Sequence, residues 1–171
     1  GGKLGVELSA SFAEICENKG IEFYVMYGQA EATSRMSYLP WKNAHTKAGS
    51  VGIAIPGGKF WLEDEKKNVI KESDSIGELV YQGDNVTMGY AESCFDLQIG
   101  DENNGILHTG DLAKRDADGF YYITGRMKRF LKMYGNRVNL DEIEELLRSA
   151  GFDCVCAGTD DNMKIYITKP D

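Results

Sequence analysis

The stretch His108–Glu144, HTGDLAKRDADGFYYITGRMKRFLKMYGNRVNLDEIE, decides how the chain reads. Asp111 follows Thr109-Gly110 at the predicted start of a strand. The turn Asp116-Ala-Asp-Gly119 leads into the strand Phe120–Thr124. A basic run, Arg126–Lys132, and the turn Tyr134-Gly135-Asn136 precede the clearest helix signal in the chain. There Asn139 is a good N-cap and Glu142 sits three residues on, where it can reach back. Ile143, Leu146, Leu147 and Ala150 make one apolar face, and Gly151 ends the helix.

Upstream of this stretch the rhythm differs. Ser9 is placed to cap a helix to about Asn18, with Leu8, Phe12, Ile15 and Cys16 as its inner stripe and Gly20 as its stop. Ile21–Tyr27 has little polar interruption and is expected to be a strand buried on both faces. Helix, glycine and buried strand are the pattern of an α/β layer. From about Gly49, short strands are expected at 51–55, 60–63, 77–83 and 120–124, separated by Pro56-Gly57-Gly58, Lys67-Asn68 and the Asp116–Gly119 turn. After the C-terminal helix, Cys154–Ala157 and Met163–Thr168 read as strands around the turn Thr159–Asn162. The expected fold class is α/β plus β. It combines the end of an α/β layered large domain, a small antiparallel β-rich subdomain of distorted-barrel type, and the truncated start of an α+β C-terminal lid. The boundaries are 1–45, 46–124 and 125–171.

Composition narrows the function. The 171 residues carry a formal charge of -8, which argues against a general nucleic-acid or membrane-surface binder. No apolar run approaches the roughly 20 residues of a membrane helix, and no signal peptide is recognisable at the start. Cys16, Cys94, Cys154 and Cys156 read as free thiols of a reducing cytosol, with Cys154 and Cys156 on one strand face. Paired Cys-x-x-Cys or clustered His spacing of a zinc site is lacking. His45 and His108 have no serine on a strained elbow to serve, so a Ser-His-Asp hydrolase is excluded. Trp41 and Trp61 read as packing residues, although the segment Ser34–Trp41 is also placed to line an acyl pocket.

Two carboxylates carry the chemistry. A rigidly held Asp111 accepts up to about four hydrogen bonds, and a ribose diol offers two donors at matching separation. Arg126, just after Gly125, can bind sugar oxygens or phosphate. The second acidic residue is Glu31, in Tyr24–Met36, YVMYGQAEATSRM, where an apolar run ends in a ring, a glycine and a small polar loop.

Together these stretches resemble the adenylate-forming ligases: acyl- and aryl-CoA synthetases, peptide-synthetase adenylation domains and luciferases. The resemblance runs through Thr109-Gly110-Asp111, Gly125-Arg126-Met127-Lys128, Lys132, Gly135, Arg137-Val138 and Glu142-Ile143-Glu144. It extends to Tyr27-Gly28-Gln29-Ala30-Glu31, to Gly77-Glu78-Leu79 with Gly89-Tyr90, and to Gly1-Gly2-x-Leu4 as a glycine turn near adenine. The resemblance implies that Tyr27 stacks on adenine, with Gly28, Gln29 and Ala30 beside the nucleotide. It implies that Glu31 holds Mg2+, that Asp111 holds the ribose hydroxyls, and that Arg126 touches the same sugar or the phosphate. Lys128 would be the hinge of the lid, and Lys132 and Gly135 would face the site during thioester formation. ATP would activate a small carboxylic acid as an acyl-adenylate, with release of pyrophosphate. Coenzyme A, or the phosphopantetheine arm of a carrier protein, would then take the acyl group in the cytoplasm.

Ala30 stands where such enzymes usually carry threonine. The family's Ser/Thr/Gly-rich phosphate loop and its late catalytic lysine have no counterpart in the sequence; Lys164 and Lys169 lack that context. The chain is therefore expected to be a fragment, inactive alone in ATP–pyrophosphate exchange. Two alternatives differ in class. The run Arg126–Arg137, with Phe130 and Tyr134 interleaved, has the composition of a single-strand nucleic-acid groove, and Ala30 is the mark of an inactive scaffold.

Overall fold

The computed structural model describes residues 4–168, apart from the Arg137 side chain. The glycine turn expected at Gly1-Gly2, the side-chain role of Arg137 and the Lys169 context lie outside the described residues. The chain divides into two compact units, residues 1–124 and 125–171.

The first unit begins with helix α1, Val6–Asn18, capped by Gly5 rather than Ser9. Its stop agrees with expectation: Gly20 adopts φ 65, which favours glycine. Its inner face does not. Ser9 and Ala13 are buried, whereas Leu8, Phe12 and Ile15 are exposed. The small residues let the helix approach the rest of the unit, and Val6 lies where a Cβ on Gly49 would be, at 2.9 Å. The expected strand 21–27 contracts to β1, Val25–Tyr27. It pairs with β2, Ser37–Leu39, which pairs with β3, Ile53–Ala54, both antiparallel. Ile21 and Met26 are exposed, so burial on both faces is not observed.

The larger sheet contains β4 (Lys59–Glu63), β5 (Val69–Ile70), β6 (Ile76–Gln82), β7 (Ile106–Arg115) and β8 (Tyr121–Arg126). Their order is β5-β4-β6-β7-β8. Among the described residues this sheet is open, not a closed barrel. Its β8 edge meets the smaller sheet's neighbourhood through the bridge Gly52–Tyr121. Ser50 Oγ fixes that junction by donating to the Tyr121 carbonyl at 2.8 Å. Alternation along β4 sends Phe60 and Leu62 to the core with Leu79, Tyr81, Leu107 and Tyr121. Phe60 packs edge-on against both Tyr81 and Tyr121, with centroids 5.3 Å apart in each case. Trp61 and Glu63 take the opposite face.

Strand β7 is the main difference from expectation. It is a ten-residue strand with Asp111 in its middle, not at its start. The ladder to β6 breaks between Glu78 and Val80: Val80 pairs with His108 and Glu78 with Leu112. Thr109, Gly110 and Asp111 thus all lie opposite Leu79. Gly110 makes this bulge possible by taking φ 70. The extra residues destroy the period-two signal, which is why the strand is hard to read in the sequence.

In the second unit, β9 (Phe130–Met133) and β10 (Asn136–Asn139) form a hairpin whose central Tyr134 and Gly135 both have positive φ. Helix α2, Leu140–Ser149, starts as expected: Asn139 accepts from the Asp141 amide at 3.0 Å. Glu142 reaches back to the Asn139 side chain at 3.3 Å. The buried face is Leu140 and Glu144, with Ile143 packed against the core, while Leu146 is exposed. A second hairpin joins β11 (Cys154–Thr159) to β12 (Asn162–Ile167), and Cys154 and Cys156 share the buried face. Arg129 fastens the unit, bonding Asp141 at 2.8 Å, Glu144 at 2.5 Å and the Cys156 carbonyl at 3.0 Å.

Candidate functional site: a carboxylate on a strand bulge

Asp111 is 3 % exposed. Its Oδ2 accepts a 2.6 Å hydrogen bond from Tyr27 Oη and a 3.0 Å bond from Gln29 Nε2. Gln29 Nε2 also donates to the Thr109 carbonyl at 2.9 Å. The bulge itself is pinned by Thr109 Oγ1, which donates to the Leu79 carbonyl at 2.7 Å and accepts from the Asp111 amide at 3.1 Å. These contacts fix the carboxylate before any ligand arrives, the preorganisation that polar recognition requires.

The partner loop is equally constrained. Tyr27 ends β1, and its ring packs against the core near Phe60, with centroids 6.5 Å apart. Gly28 is required by space: a Cβ there would stand 2.4 Å from the Ser34 carbonyl oxygen. Ala30 and Glu31 lie on a single 3-10 turn, Ala30–Ala32. Thr33 and Ser34 follow with φ 52 and 64, a left-handed pair that turns the chain back into β2. Glu31 is half-buried, and one carboxylate oxygen accepts from the exposed Tyr90 hydroxyl.

Sequence reasoning missed Asn85. Its Oδ1 accepts from Tyr81 Oη at 2.8 Å, and its Nδ2 donates to the carbonyls of Ala32 at 2.7 Å and Arg35 at 3.0 Å. One buried-edge amide thereby ties the 30–35 loop to the large sheet. The only sequence signal was an asparagine in a polar turn, which usually serves its own turn.

The structure thus brings Tyr27, Gln29 and Asp111 into contact, with Gly28, Ala30 and Glu31 on the same loop. Arg126, Lys128 and Lys132 belong to the second unit, and all three are exposed. Lys128 sits on the 3-10 turn Met127–Arg129, and Lys132 on β9. Within the same basic run Arg129 is committed to Asp141 and Glu144, so not all of that run is a solvated face. Trp41 lines a cavity of about 120 Å3 with Ala13, Phe23 and His45, apart from the Asp111 cluster.

Fold comparison and sequence comparison together place the chain in the class of adenylate-forming enzymes. Among the solved structures that share this fold are two of one enzyme. The o-succinylbenzoate CoA synthetase (MenE) of Bacillus subtilis in complex with the acyl-adenylate intermediate OSB-AMP aligns with TM-score 0.76 and 25 % identity, over 100 % of this chain and 36 % of that one. The same enzyme in complex with ATP and magnesium ion aligns with TM-score 0.73 and 26 % identity, over 98 % and 35 %. The chain belongs to the AMP-binding enzyme family, whose profile matches residues 1–91. Among curated relatives, 2-succinylbenzoate–CoA ligase of Bacillus cereus (strain Q1) is 37 % identical over 136 residues, 80 % of this chain. The chain spans 28 % of the length of that relative.

Proposed function

We propose that this chain supplies the adenosine-gripping edge of an ATP-dependent ligase that activates a small carboxylic acid. In the reaction a carboxylate oxygen attacks the α-phosphorus of ATP, the bond to the β-phosphate oxygen breaks, and pyrophosphate leaves. The thiol of coenzyme A then attacks the acyl carbonyl, and AMP departs. The observation that carries the reading is the buried Asp111 carboxylate, oriented by Tyr27 and Gln29. Such a group can accept both hydroxyls of a ribose diol, in a geometry fixed in advance.

In this reading Tyr27 presents its ring to adenine, while Gly28, Gln29 and Ala30 border the nucleotide. Arg126 adds positive charge at the sugar or the α-phosphate. Lys128 is the pivot between half-reactions, and Lys132 with Gly135 belongs to the lid surface used in thioester formation. Residues 1–45 form the edge of the α/β layer, 46–124 the β-rich subdomain and 125–171 the hinge and start of the lid. Glu31 fits a Mg2+ ligand: it is a hard oxygen donor at the rim of the loop, and Mg2+ usually takes one or two carboxylates besides substrate phosphates. The bound ion would neutralise charge on the triphosphate. The cytoplasm, where ATP and coenzyme A are abundant, is the proposed compartment; among the described residues no helix is long and apolar enough to cross a membrane. A carrier-protein arm as acceptor and an inactive scaffold are the competing readings, the second resting on Ala30.

The test is calorimetric titration of the chain with AMP, 2'-deoxy-AMP and 3'-deoxy-AMP, repeated with Asp111→Asn. Wild-type protein should bind AMP about tenfold more tightly than either deoxy analogue, the worth of one charge-assisted hydrogen bond. Asp111→Asn should bind all three alike. Equal affinities in the wild type would remove Asp111 from the ribose, and no binding at all would show that this edge does not grip adenosine by itself.

A further inference from the structure

On the outer face of the large sheet, away from the core side of β4, three metal-ligating side chains converge. Glu63 and Glu78 are direct cross-strand partners in the β4–β6 ladder, and His108 stands opposite Val80 in the β6–β7 ladder. Like charges directly opposed across a sheet are destabilising. Yet Glu63 and Glu78 are 9 % and 7 % exposed. One ligand atom from each of the three residues can be chosen so that all lie within 4.8 Å of one another. His108 Nδ1 is 3.8 Å from Glu63 Oε2 and 3.5 Å from Glu78 Oε2.

The remaining atoms are already assigned. Glu63 Oε1 accepts from Trp61 Nε1 at 2.7 Å, and Glu78 Oε1 accepts from the Gly110 amide at 3.3 Å. Glu63 Oε2 is buried without a hydrogen-bond partner and faces the cluster. Into this space comes Lys67 from the β4–β5 turn, held at φ 64 by a loop in which Asp64 accepts from the Lys66 and Asn68 amides. Its Nζ lies 2.5 Å from Glu78 Oε2, 3.3 Å from His108 Nδ1 and 4.0 Å from Glu63 Oε2. Neutral imidazole can turn a lone pair at Nδ1 toward such a site, the form of imidazole that binds metals. One ammonium leaves the two carboxylates with an uncompensated negative charge and does not reach hydrogen-bonding distance of Glu63.

We infer that Glu63 Oε2, Glu78 Oε2 and His108 Nδ1 form a site for one divalent cation of the zinc class, in which Lys67 is the resident counter-ion that the metal displaces. At metal–ligand bonds of about 2.0–2.1 Å, tetrahedral ligands stand roughly 3.4 Å apart, close to the His108–Glu78 and His108–Glu63 separations. A divalent charge balances both carboxylates. Imidazole selects zinc-like metals over Mg2+, which prefers six oxygens. His108 is about half exposed, which leaves an entry path and an open fourth position for water. The Lys67 side chain is also largely exposed, so it can swing out into solvent. Neither cysteine pairing nor histidine spacing signals this site, because its ligands come from three strands. It stands apart from the nucleotide reading and does not depend on it.

Cobalt is the probe, since Co2+ reports tetrahedral ligation in its visible spectrum and quenches nearby indole emission. A Trp41→Phe background leaves Trp61, which bonds Glu63, as the sole tryptophan of the 171-residue chain. The expected result is one Co2+ per chain, Trp61 quenching, tetrahedral absorption without a thiolate charge-transfer band, and displacement by Zn2+ but not by Mg2+. His108→Ala should weaken binding at least about tenfold and Lys67→Met should tighten it by about tenfold, with circular dichroism unchanged in both. No cobalt binding by either the wild type or Lys67→Met would overturn the proposal. Binding that His108→Ala leaves intact, or that shows a thiolate band, would place the metal elsewhere and overturn it equally. An unchanged or weaker affinity in Lys67→Met would refute the displacement.

Discussion

Tyr27 and Asp111, 84 positions apart in sequence, are joined by a 2.6 Å hydrogen bond from the phenol to the carboxylate. That bond locks the end of the small sheet onto the bulge of the large one. The two residues therefore form one unit, and loosening either is felt by the other.

Tyr27→Phe should cost about 1–2 kcal/mol in urea denaturation, since one charge-assisted bond is lost at a half-buried site while Gln29 still donates to Asp111. If Asp111 holds a ribose as proposed, AMP affinity should fall several-fold in the same variant. A wild-type denaturation midpoint would show that the phenol bond contributes nothing.

The two glycines of the site serve different physical needs, and substitutions separate them. Gly110 has φ 70 and open space around a prospective Cβ, so Gly110→Ala should cost about 1–2 kcal/mol through backbone conformation alone. Gly110→Asn should recover most of that loss, because asparagine tolerates the left-handed region. At Gly28 the obstacle is the Ser34 carbonyl, 2.4 Å from a Cβ. Both Gly28→Ala and Gly28→Asn should then cost about 3 kcal/mol or more, with no rescue by asparagine. Equal behaviour at the two positions in thermal melts would contradict this division.

Asn85→Ala removes the two bonds to the Ala32 and Arg35 carbonyls that tether the 30–35 loop and leaves the Tyr81 hydroxyl without its acceptor. A loss of about 2–3 kcal/mol is expected, with faster amide exchange at Thr33 and Ser34. Asn85→Asp should be nearly as damaging, because a carboxylate cannot donate to the Ala32 and Arg35 carbonyls. Protection of the loop in both variants would show that Asn85 is not its anchor.

In the second unit, burial raises the Glu144 carboxyl, but the Cys156 amide and then the Arg129 guanidinium outweigh it and hold the group below the usual glutamate range. A lowered folded value means that the stabilisation is complete above the ordinary glutamate range. It is lost as pH falls through the lowered value. Exchange of the Cys156 amide, which donates to Glu144 at 2.6 Å, should therefore accelerate on acidification beyond its intrinsic pH dependence. Arg129→Met should weaken this pH dependence and cost about 2 kcal/mol at neutral pH, because Glu144 loses one of two guanidinium partners while Arg148 stays 3.2 Å from its other oxygen. An Arg129→Met protein as stable as wild type would refute the role given to that pair.

The sequence by itself determined what depends on neighbours along the chain. Asn139, Glu142 and Gly151 mark both ends of α2, Gly20 marks the end of α1, and turn residues set off the short apolar runs of β4, β6 and β8, because capping, left-handed glycine and turn chemistry act over a few residues. The motif residues Tyr27, Gln29 and Asp111 were also legible as a set. Only the tertiary structure decided which face of α1 turns inward, since an apolar stripe does not state what it meets; Ser9 and Ala13 are buried instead of Leu8 and Phe12. It alone decided that Asp111 lies within a strand, because the bulge at Gly110 erases the two-residue period. The contacts of Glu63 and Glu78 with His108 follow from strand register, and those of Tyr27 with Asp111 and of Asn85 with Ala32 from packing of one sheet and its loop against the other. Register is set by packing between segments distant in sequence, and no local preference encodes it.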